Sequence, residues 1–207
     1  MGFISFRQDR QIPTGFYWGH NMKNISIITL LLFATICYSS DVVIYSTAAP
    51  VSAPVAATGQ TNAYAIEDDG ALKKGVVWPN PRFTVQANTN CVTDNLTGLV
   101  WARNANQFGK TNWNNAVTNC NNLSYGGYDD WRLPNKMELK SVIDCGVNTP
   151  ALPAGHPFAS VAIDDSYWTS TTLSLSASYA WYFGLTHGIS NYDVKTAKYY
   201  SWPVRGP

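Results

Sequence analysis

The sequence has few charged side chains and no strong excess of either sign. Charged residues make up 13% of its 207 residues, and the formal net charge is +1. Proteins that bind nucleic acid usually carry a basic surface that neutralises phosphates. We therefore expect no nucleic-acid partner.

Long hydrophobic runs are also missing. The most apolar stretch, residues 25–36, has twelve residues, whereas a membrane-spanning helix needs about 20. Met22, Lys23 and Asn24 precede this stretch and the sequence CYSS follows it, an order typical of a signal peptide. We predict a leader over residues 1–40, translation starting at Met22, and no stable membrane span after cleavage. The mature protein is then secreted, periplasmic or located at the cell surface.

Two alternatives stay open for this leader. The apolar stretch is also compatible with a short buried helix. Cys37 follows the stretch as a bacterial lipoprotein cysteine does, although Ile36 stands where such sites require a small residue. Lipidation at Cys37 is therefore the weaker of these two alternatives.

Cysteine is scarce, with four in the chain. The predicted mature part keeps Cys91, Cys120 and Cys145, an odd number that allows at most one disulfide. The spacings include no C-x-x-C and no histidine at ligand spacing, which argues against a zinc site. Cys120 and Cys145 lie on two predicted helices, so their pairing is slightly favoured; buried free thiols are the alternative.

Histidine is equally scarce, and none of the three histidines sits in a recognised catalytic motif. His20 falls in the leader, while His156 and His187 lie in turn sequences. Neither turn histidine has serine and aspartate neighbours of the triad type. We therefore predict no catalytic residue and no enzymatic activity.

Acidic residues cluster at three places, residues 67–69, 129–130 and 164–165. Calcium takes about six to eight oxygen ligands, which acidic loops can supply. The EF-hand pattern is absent, and acidic pairs beside turns commonly cap helices or face water. No cofactor is predicted, and calcium at one of these clusters stays open as an alternative.

A linker and one domain account for the rest of the chain. Residues 41–60 are rich in alanine and proline and lack periodicity, which is typical of an extended linker. Residues 61–207 carry helix and strand patterns and form the predicted domain. Its first helix is predicted over residues 113–123, where apolar residues recur at helical spacing behind a cap at Thr111 or Asn112.

The second helix begins inside the stretch YDDWRLPNKMEL, residues 128–139. Pro134 keeps the preceding Leu133 extended, so the helix starts after it. Asn135 and Glu138 match a capping box. We predict a helix over residues 135–145 that ends at Gly146.

Strand patterns lie on both sides of the helices. Residues 84–103 predict a hairpin region with turns at 88–90 and 95–98 and a buried strand at LVW, residues 99–101. Four later segments are spaced like the strands of one antiparallel sheet: YWTSTTL, YAWYFGL, ISNYDV and YYSWPVRG. Two helices followed by a hairpin-rich sheet predict an α+β fold.

Strand periodicity separates the late aromatic residues into core and surface. Tyr179, Trp181 and Phe183 alternate, so we place them in the core, with Ala180 and Gly184 facing the other way. The candidates for ligand contact lie in or beside turns or on that other face: Tyr182, Asn191, Tyr192, Lys195 and Lys198.

Six sequence blocks run through the domain in a fixed order. They are DNLTGLVWARN (94–104), WNNAVTNCNNL (113–123), GGYDDWRLPNKMELKSVID (126–144), ALPAGHPF (151–158), YWTSTT (167–172) and residues 179–206. Together they resemble the Lcl C-terminal domain family, a domain of unknown function. That family is similar in turn to the C-type-lectin-like fold and its formylglycine-generating, sulfatase-modifying branch. The resemblance implies two helices packed on a twisted antiparallel sheet.

The same resemblance assigns a structural role to the WRLPN segment. In the sulfatase-modifying branch an RLP segment also leads into a helix, and a strand similar to WPVRG (202–206) closes the domain. The implied structural residues are Asp130, Trp131, Arg132, Leu133, Pro134, Asn135, Trp202 and Arg205. Trp131 and Leu133 are expected in the core, with Arg132 pointing elsewhere.

The implied function is binding or adhesion, through a glycan or another cell-surface ligand. Sugar rings stack on tryptophan and tyrosine, and Lys195 and Lys198 suit acidic or sulfated glycans. A structural or display module that binds proteins is one alternative, and a sulfatase-modifying enzyme is another. The cysteines that such enzymes need near the closing strands are missing, because none follows Cys145. The sequence also has no Gly-X-Y repeat, so the collagen stalk of collagen-like adhesins is not available to it.

Overall fold

The computed structural model describes residues 55–206. The predicted signal peptide, the start at Met22, lipidation at Cys37 and the linker up to residue 54 lie outside the described residues. No helix in the described part of the chain is long and apolar enough to cross a membrane.

The last residues assigned to the linker pack on the domain. Val76 N donates to Val55 O, and Cys145 N donates to Thr58 O, both at 2.8 Å. Val55 and Thr58, which the sequence assigns to the linker, are therefore bonded to the domain.

Three helices and seven strands make up the described structure. The helices are α1 (Asp69–Leu72), α2 (Trp113–Asn121) and α3 (Lys136–Ser141). The strands are β1 (Phe83–Val85), β2 (Cys91–Asp94), β3 (Val100–Ala102), β4 (Ser166–Thr172), β5 (Tyr179–Gly184), β6 (Ile189–Val194) and β7 (Val204–Arg205). The predicted α+β class is confirmed, and α1 is a short helix that the sequence patterns did not indicate.

The first sheet has the strand order β1-β2-β3-β7, with all neighbours antiparallel. Both predicted turns between β1 and β3 are present. At the first turn, Asn88 Oδ1 accepts hydrogen bonds from the backbone N–H groups of Asn90 and Cys91. Leu99, Val100 and Trp101 are buried, as the sequence predicts for this strand.

The second sheet has the order β4-β5-β6 and is also antiparallel. The prediction that all four late segments form one sheet is wrong, because β7 joins β3 in the first sheet. Tyr200 still bonds to the edge of β4, with Trp168 N donating to Tyr200 O. Pro203 cannot donate a backbone hydrogen bond, and the chain crosses to the first sheet at this point.

Both helices that the sequence predicts are present, with corrected ends. Asn112 caps α2 by accepting from Asn115 N, and α3 starts with the predicted capping box. Helix α3 ends at Ser141, four residues before the predicted end. Val142 and Ile143, which follow the helix, are buried, and Asp144 N donates to Ala151 O, so the chain leaves the helical path there.

The main core lies around four large aromatic side chains: Trp101, Trp131, Tyr167 and Trp202. The rings of Trp101 and Trp202 are 5.3 Å apart, and those of Phe158 and Trp202 are 4.7 Å apart and nearly perpendicular. Such pairs contribute about 0.5–1.5 kcal/mol each beyond their buried area.

A second, smaller cluster covers the opposite face of the second sheet. Ala116 and Cys120 of α2 pack there with Leu133, Trp168 and Ala180. Leu139 of α3 belongs instead to the main core, with Tyr167 and Phe183. Both faces of the second sheet are therefore covered, by α2 on one side and by α3 and the main core on the other.

The three cysteines of the described residues are free. Cys120 is fully buried in the second cluster, whereas Cys145 is exposed in the loop after α3. The favoured Cys120–Cys145 disulfide is therefore absent.

Candidate functional site

The WRLPN segment joins helix α3 to the closing strand. Trp131 and Leu133 are each 2% exposed, so alternate residues point inward. Arg132 makes a paired contact with Glu138, both N···O distances being 2.7 Å. The backbone of Arg132 also exchanges two hydrogen bonds with Val204 of β7, both at 2.9 Å. Every side chain of this segment has an internal structural contact or lies in the core.

Asp130 and Trp202 complete this structural group. Asp130 pairs with Arg205 through two contacts of 2.6 and 3.0 Å, and this partner holds the pKa of the Asp130 carboxyl below its usual range. Arg205 in turn stacks over the Tyr128 ring at 3.9 Å. The indole N–H of Trp202 donates to Ala102 O inside the core.

The candidate ligand residues lie on two different faces of the second sheet. Tyr182 and Asn191 are cross-strand partners, as are Trp181 and Tyr192. Because neighbouring residues in a strand point to opposite faces, Tyr182 and Asn191 share one face and Tyr192 lies on the other. The structure therefore does not bring the five candidates into one site.

Two of the candidates on or near the first of these faces make internal packing contacts. The Tyr182 ring is half-buried and lies 4.6 Å from the Tyr199 ring. Lys195 Nζ donates to Thr172 Oγ1 at 2.9 Å and lies over the Trp113 ring at 3.9 Å. Lys198 is exposed.

The side chain of Asn191 bonds to the backbone of its own strand, β6. Its Oδ1 accepts a hydrogen bond from Tyr192 N, and Asp193 Oδ1 accepts one from Val194 N. Strand β6 ends the sheet order, and an uncovered edge invites pairing with other chains. Because these side chains accept from two backbone N–H groups of β6, those groups are less available for pairing with another chain.

A group of aromatic residues on the opposite face is accessible. Tyr192 is 47% exposed, and its ring stands edge-on to the Trp181 ring at 5.6 Å and to the Tyr179 ring at 6.1 Å. Lys136 Nζ lies 3.0 Å from the centre of the Trp181 ring. We call these four residues, Tyr179, Trp181, Tyr192 and Lys136, the Trp181 surface.

The placement of Tyr179 and Trp181 in the core is wrong, since both are only half-buried. Phe183, at the other end of the same face, is buried in the main core. Ala180 is also fully buried, although it points to the opposite face. Period-two alternation fails here because the sheet is covered on both faces and the core ends between Phe183 and Trp181.

Sequence reasoning also missed the lysines beside this surface. Lys136 and Lys140 stand four residues apart in α3, on the helix that follows the WRLPN segment. Burial lowers the pKa of Lys136, and repulsion from Lys140 lowers it further. An anion bound here would relieve that repulsion. The i, i+4 spacing of the two lysines was the available signal.

At least one residue of each acidic cluster makes an internal contact. Asp68 caps α1 and accepts hydrogen bonds from the backbone N–H groups of Tyr64 and Ala71, which lower its pKa. Asp130 pairs with Arg205, as described, and Asp165 pairs with Lys110. Within residues 55–206 there is no group of three or more histidine, cysteine or acidic side chains placed to hold a metal ion.

The two described histidines lie in separate loops. The ring of His156 stacks on Phe158 at 5.8 Å, and burial lowers its pKa. His187 is exposed in the turn between β5 and β6.

The chain belongs to the Lcl C-terminal domain family. The family model matches residues 90–205, just over half of the chain. The matched range contains both sheets except for strand β1, together with the WRLPN segment and the Trp181 surface. A search of the curated proteins found no match.

Proposed function

We propose that this protein is an exported, non-catalytic module that binds acidic or sulfated glycans through the Trp181 surface. The observation that carries the proposal is the combination of accessible aromatic rings and a lysine pair on one side of the second sheet. The exposed Tyr192 ring supplies apolar surface beside Trp181, while Lys136, which lies over the Trp181 ring, and Lys140 supply positive charge.

This combination fits the two chemical sides of an acidic sugar. The C–H face of a pyranose ring packs on an aromatic ring, as apolar groups do elsewhere. Sulfate and carboxylate groups accept charge-assisted hydrogen bonds from ammonium groups, which are stronger than neutral ones. Lys198 and Asn191, exposed near the opposite face, are available for secondary contacts with a long polymer.

The proposal includes a C-type-lectin-like arrangement of the domain and a location outside the cytoplasm. The arrangement is supported by the closing strand β7, which returns to pair with the early hairpin. The location is supported by the leader pattern of residues 22–40 and by the aromatic-rich, charge-poor composition. The partner is then a free or cell-surface glycan rather than a nucleic acid.

The sulfatase-modifying alternative requires a reactive thiol, and the buried cysteines do not suit that role. Burial raises the pKa of Cys120 to about 12 and also raises that of Cys91. The thiolate is the nucleophilic form, so a raised pKa suppresses reactivity. These environments disfavour Cys91 and Cys120 as the reactive thiol of such an enzyme.

A glycan array that includes sulfated glycosaminoglycans tests the proposal, with the purified chain screened once with calcium and once with chelator. Binding to acidic glycans should survive chelation and weaken with added salt. Replacing Lys136 and Lys140 by glutamine should weaken it roughly tenfold, at about 1 kcal/mol or less per lysine. The matched control is Lys195→Gln with Lys198→Gln, which should weaken it less.

The other outcomes separate the alternatives. If binding is lost with chelator alone, the binding site would be assigned to the acidic loops instead. If the protein binds no glycan on the array under either condition, glycan binding is contradicted and a display module that binds proteins is favoured.

A further inference from the structure

A cleft of about 400 Å³ lies between the start of the domain and the loops after α3. Residues 57–78 supply most of its lining, and these residues precede the range that the family model matches. Asp144, Pro153 and Ala154 complete the wall. We call this the Trp78 cleft. It lies apart from the Trp181 surface and shares no residue with it.

The aromatic wall of the cleft is held in place from three sides. The Trp78 indole N–H donates to Ala57 O at 2.9 Å, and the guanidinium of buried Arg82 lies 4.6 Å from the ring centre. Gly59 has a φ of +86°, and a Cβ there would stand 2.6 Å from the Trp78 ring and 2.3 Å from Asp144. Only glycine allows this close approach. The ring and the carboxylate are therefore fixed next to each other.

Asp144 is the anionic anchor of the cleft. It is only 8% exposed, and its Oδ1 accepts a hydrogen bond from Gly146 N at 2.8 Å. Among residues 55–206, no hydrogen bond reaches its Oδ2. Burial raises the pKa of this carboxyl, because the charged form is poorly solvated. The positive charge of Arg82 offsets only part of this effect, and a ligand that brings an ammonium group to the carboxylate from the cleft would offset more of it.

The rim of the cleft carries the opposite charge. Lys73 and Lys74 are exposed there, next to the end of α1. Asp69, which also lines the cleft, is bonded to the hydroxyl of Thr58. The cleft therefore presents a buried carboxylate at its base, an apolar wall from Val77, Trp78 and Pro153, and two ammonium groups at its mouth.

We propose that the Trp78 cleft binds a small zwitterion with an apolar side chain, an α-amino acid of the leucine or phenylalanine type. Its ammonium group bonds Asp144, its carboxylate faces Lys73 and Lys74, and its side chain packs on Trp78. The volume is at the small end of ligand sites, which suits a molecule of this size. The chain would then have a second binding activity that does not depend on the glycan site.

Leucine is the probe for this site. A ligand of this size that gains about 0.5 kcal/mol per non-hydrogen atom binds with a Kd of about a millimolar. We would titrate leucine into the purified full chain and follow the indole N–H signal of Trp78 by NMR, assigned with Trp78→Phe. Isocaproate, which lacks the ammonium group, and isoamylamine, which lacks the carboxylate, are the matched ligands.

We expect a saturable shift of the Trp78 signal with leucine. Isocaproate and isoamylamine should each bind at least tenfold more weakly. Asp144→Asn keeps the Oδ1 acceptor but removes the charge, and it should weaken leucine about tenfold or more. Asp164→Asn, at an exposed site, should leave leucine binding unchanged. No saturable shift with leucine, or isocaproate binding as tightly as leucine, would overturn the proposal.

A second variant keeps the test decisive if Asp144→Asn does not fold. Lys73→Gln with Lys74→Gln changes only exposed side chains. It should weaken leucine severalfold and leave the weak binding of isoamylamine unchanged, since only leucine carries a carboxylate. Equal leucine affinity in this variant and the native chain would contradict the assigned orientation.

Discussion

At the scale of single residues, the Arg82–Asp94 pair explains why the DNLTG stretch has its sequence. Asp94 accepts hydrogen bonds from the Nε and Nη2 atoms of Arg82, at 2.8 and 3.0 Å, and from Leu96 N and Thr97 Oγ1. Arg82 also donates to Ser141 O at the end of α3. The buried Arg82–Asp94 pair thus holds a turn, a strand end and a helix end together.

Removing this carboxylate should be costly. Asp94→Ala leaves the Arg82 guanidinium buried without its partner, and breaking a buried ion pair in this way costs about 3–5 kcal/mol. Urea unfolding followed by tryptophan fluorescence would measure the loss. Asp164→Ala, at an exposed position, serves as the control and should change stability by less than about 0.5 kcal/mol. A loss below about 1 kcal/mol at Asp94 would mean that the pair contributes little net stability.

The three described cysteines should differ in their reactivity. Cys145 is exposed, whereas burial raises the pKa of Cys91 and Cys120 and keeps them in the thiol form at neutral pH. A thiol reagent applied to the folded protein should therefore label Cys145 rapidly and the two buried cysteines only after unfolding. Comparison with Cys145→Ser, by mass spectrometry of labelled peptides, identifies the site. Rapid labelling of Cys120 in the folded state would contradict its buried environment.

At the scale of elements, helix α3 connects the WRLPN segment, the main core and the Trp181 surface. Its capping box fixes the start, its Glu138 holds Arg132, and its Lys136 covers Trp181. The helix has only six residues, too few to be stable alone. Its stability therefore comes from the cap, the ion pair and the burial of Leu139.

Glu138 makes part of this stability dependent on pH. Burial by itself raises the pKa of Glu138, but hydrogen bonds from Arg132 and from Asn135 N outweigh it and the pKa falls below its ordinary value of 4.5. A group whose pKa is lower in the folded state stabilises the fold above its unfolded pKa, and this contribution is lost as the pH falls through the folded pKa. The unfolding free energy of the native chain should thus decrease below about pH 4.5.

The Glu138→Gln variant isolates this contribution. It should be less stable than the native chain at neutral pH, and the gap should close as the pH drops below the ordinary glutamate pKa. Chemical denaturation over a series of pH values measures both curves. Parallel curves for the two proteins would show that Glu138 does not carry the acid sensitivity. Asn135→Ala, which removes the cap but not the carboxylate, should cost about 1 kcal/mol at every pH.

The sequence predicted elements well where a local rule decides the structure. The proline and the capping pair fixed the start of α3, and asparagine turns fixed the early hairpin. Prediction failed where contacts between distant parts of the chain determine the structure. The partner of β7 and the half-exposed position of Trp181 depend on how the two sheets and α3 meet, which no local period reveals. The i, i+4 spacing of Lys136 and Lys140 is visible in the sequence, but the position of Lys136 over Trp181 is not.

At the scale of the whole molecule, the closing segment unites the two sheets. Trp202 follows the contacts of Tyr200 with β4 and precedes β7, and its ring touches those of Trp101, Phe158 and Tyr167. The domain thus depends on a residue near its C-terminal end to complete the core that starts at β1.

Trp202→Ala should destabilise the whole domain. Removing a buried tryptophan costs about 3–5 kcal/mol, a large fraction of the roughly 5–15 kcal/mol that holds a domain together. Both sheets should lose protection together in hydrogen exchange. Tyr192→Ala, which removes an exposed ring, is the control and should leave the exchange of both sheets nearly unchanged. Selective loss of protection in one sheet would show that the sheets are stable independently.

The proposed function requires that the Trp181 surface binds acidic glycans. Its most direct test is the Kd of the purified chain for a sulfated glycosaminoglycan fragment, measured by calorimetry at two salt concentrations for the native chain, for Lys136→Gln with Lys140→Gln, and for Tyr192→Ala. We expect salt-sensitive binding by the native chain that weakens roughly tenfold in the lysine variant and severalfold in the tyrosine variant. Equal affinity of all three proteins, or no binding by the native chain, would contradict the claim.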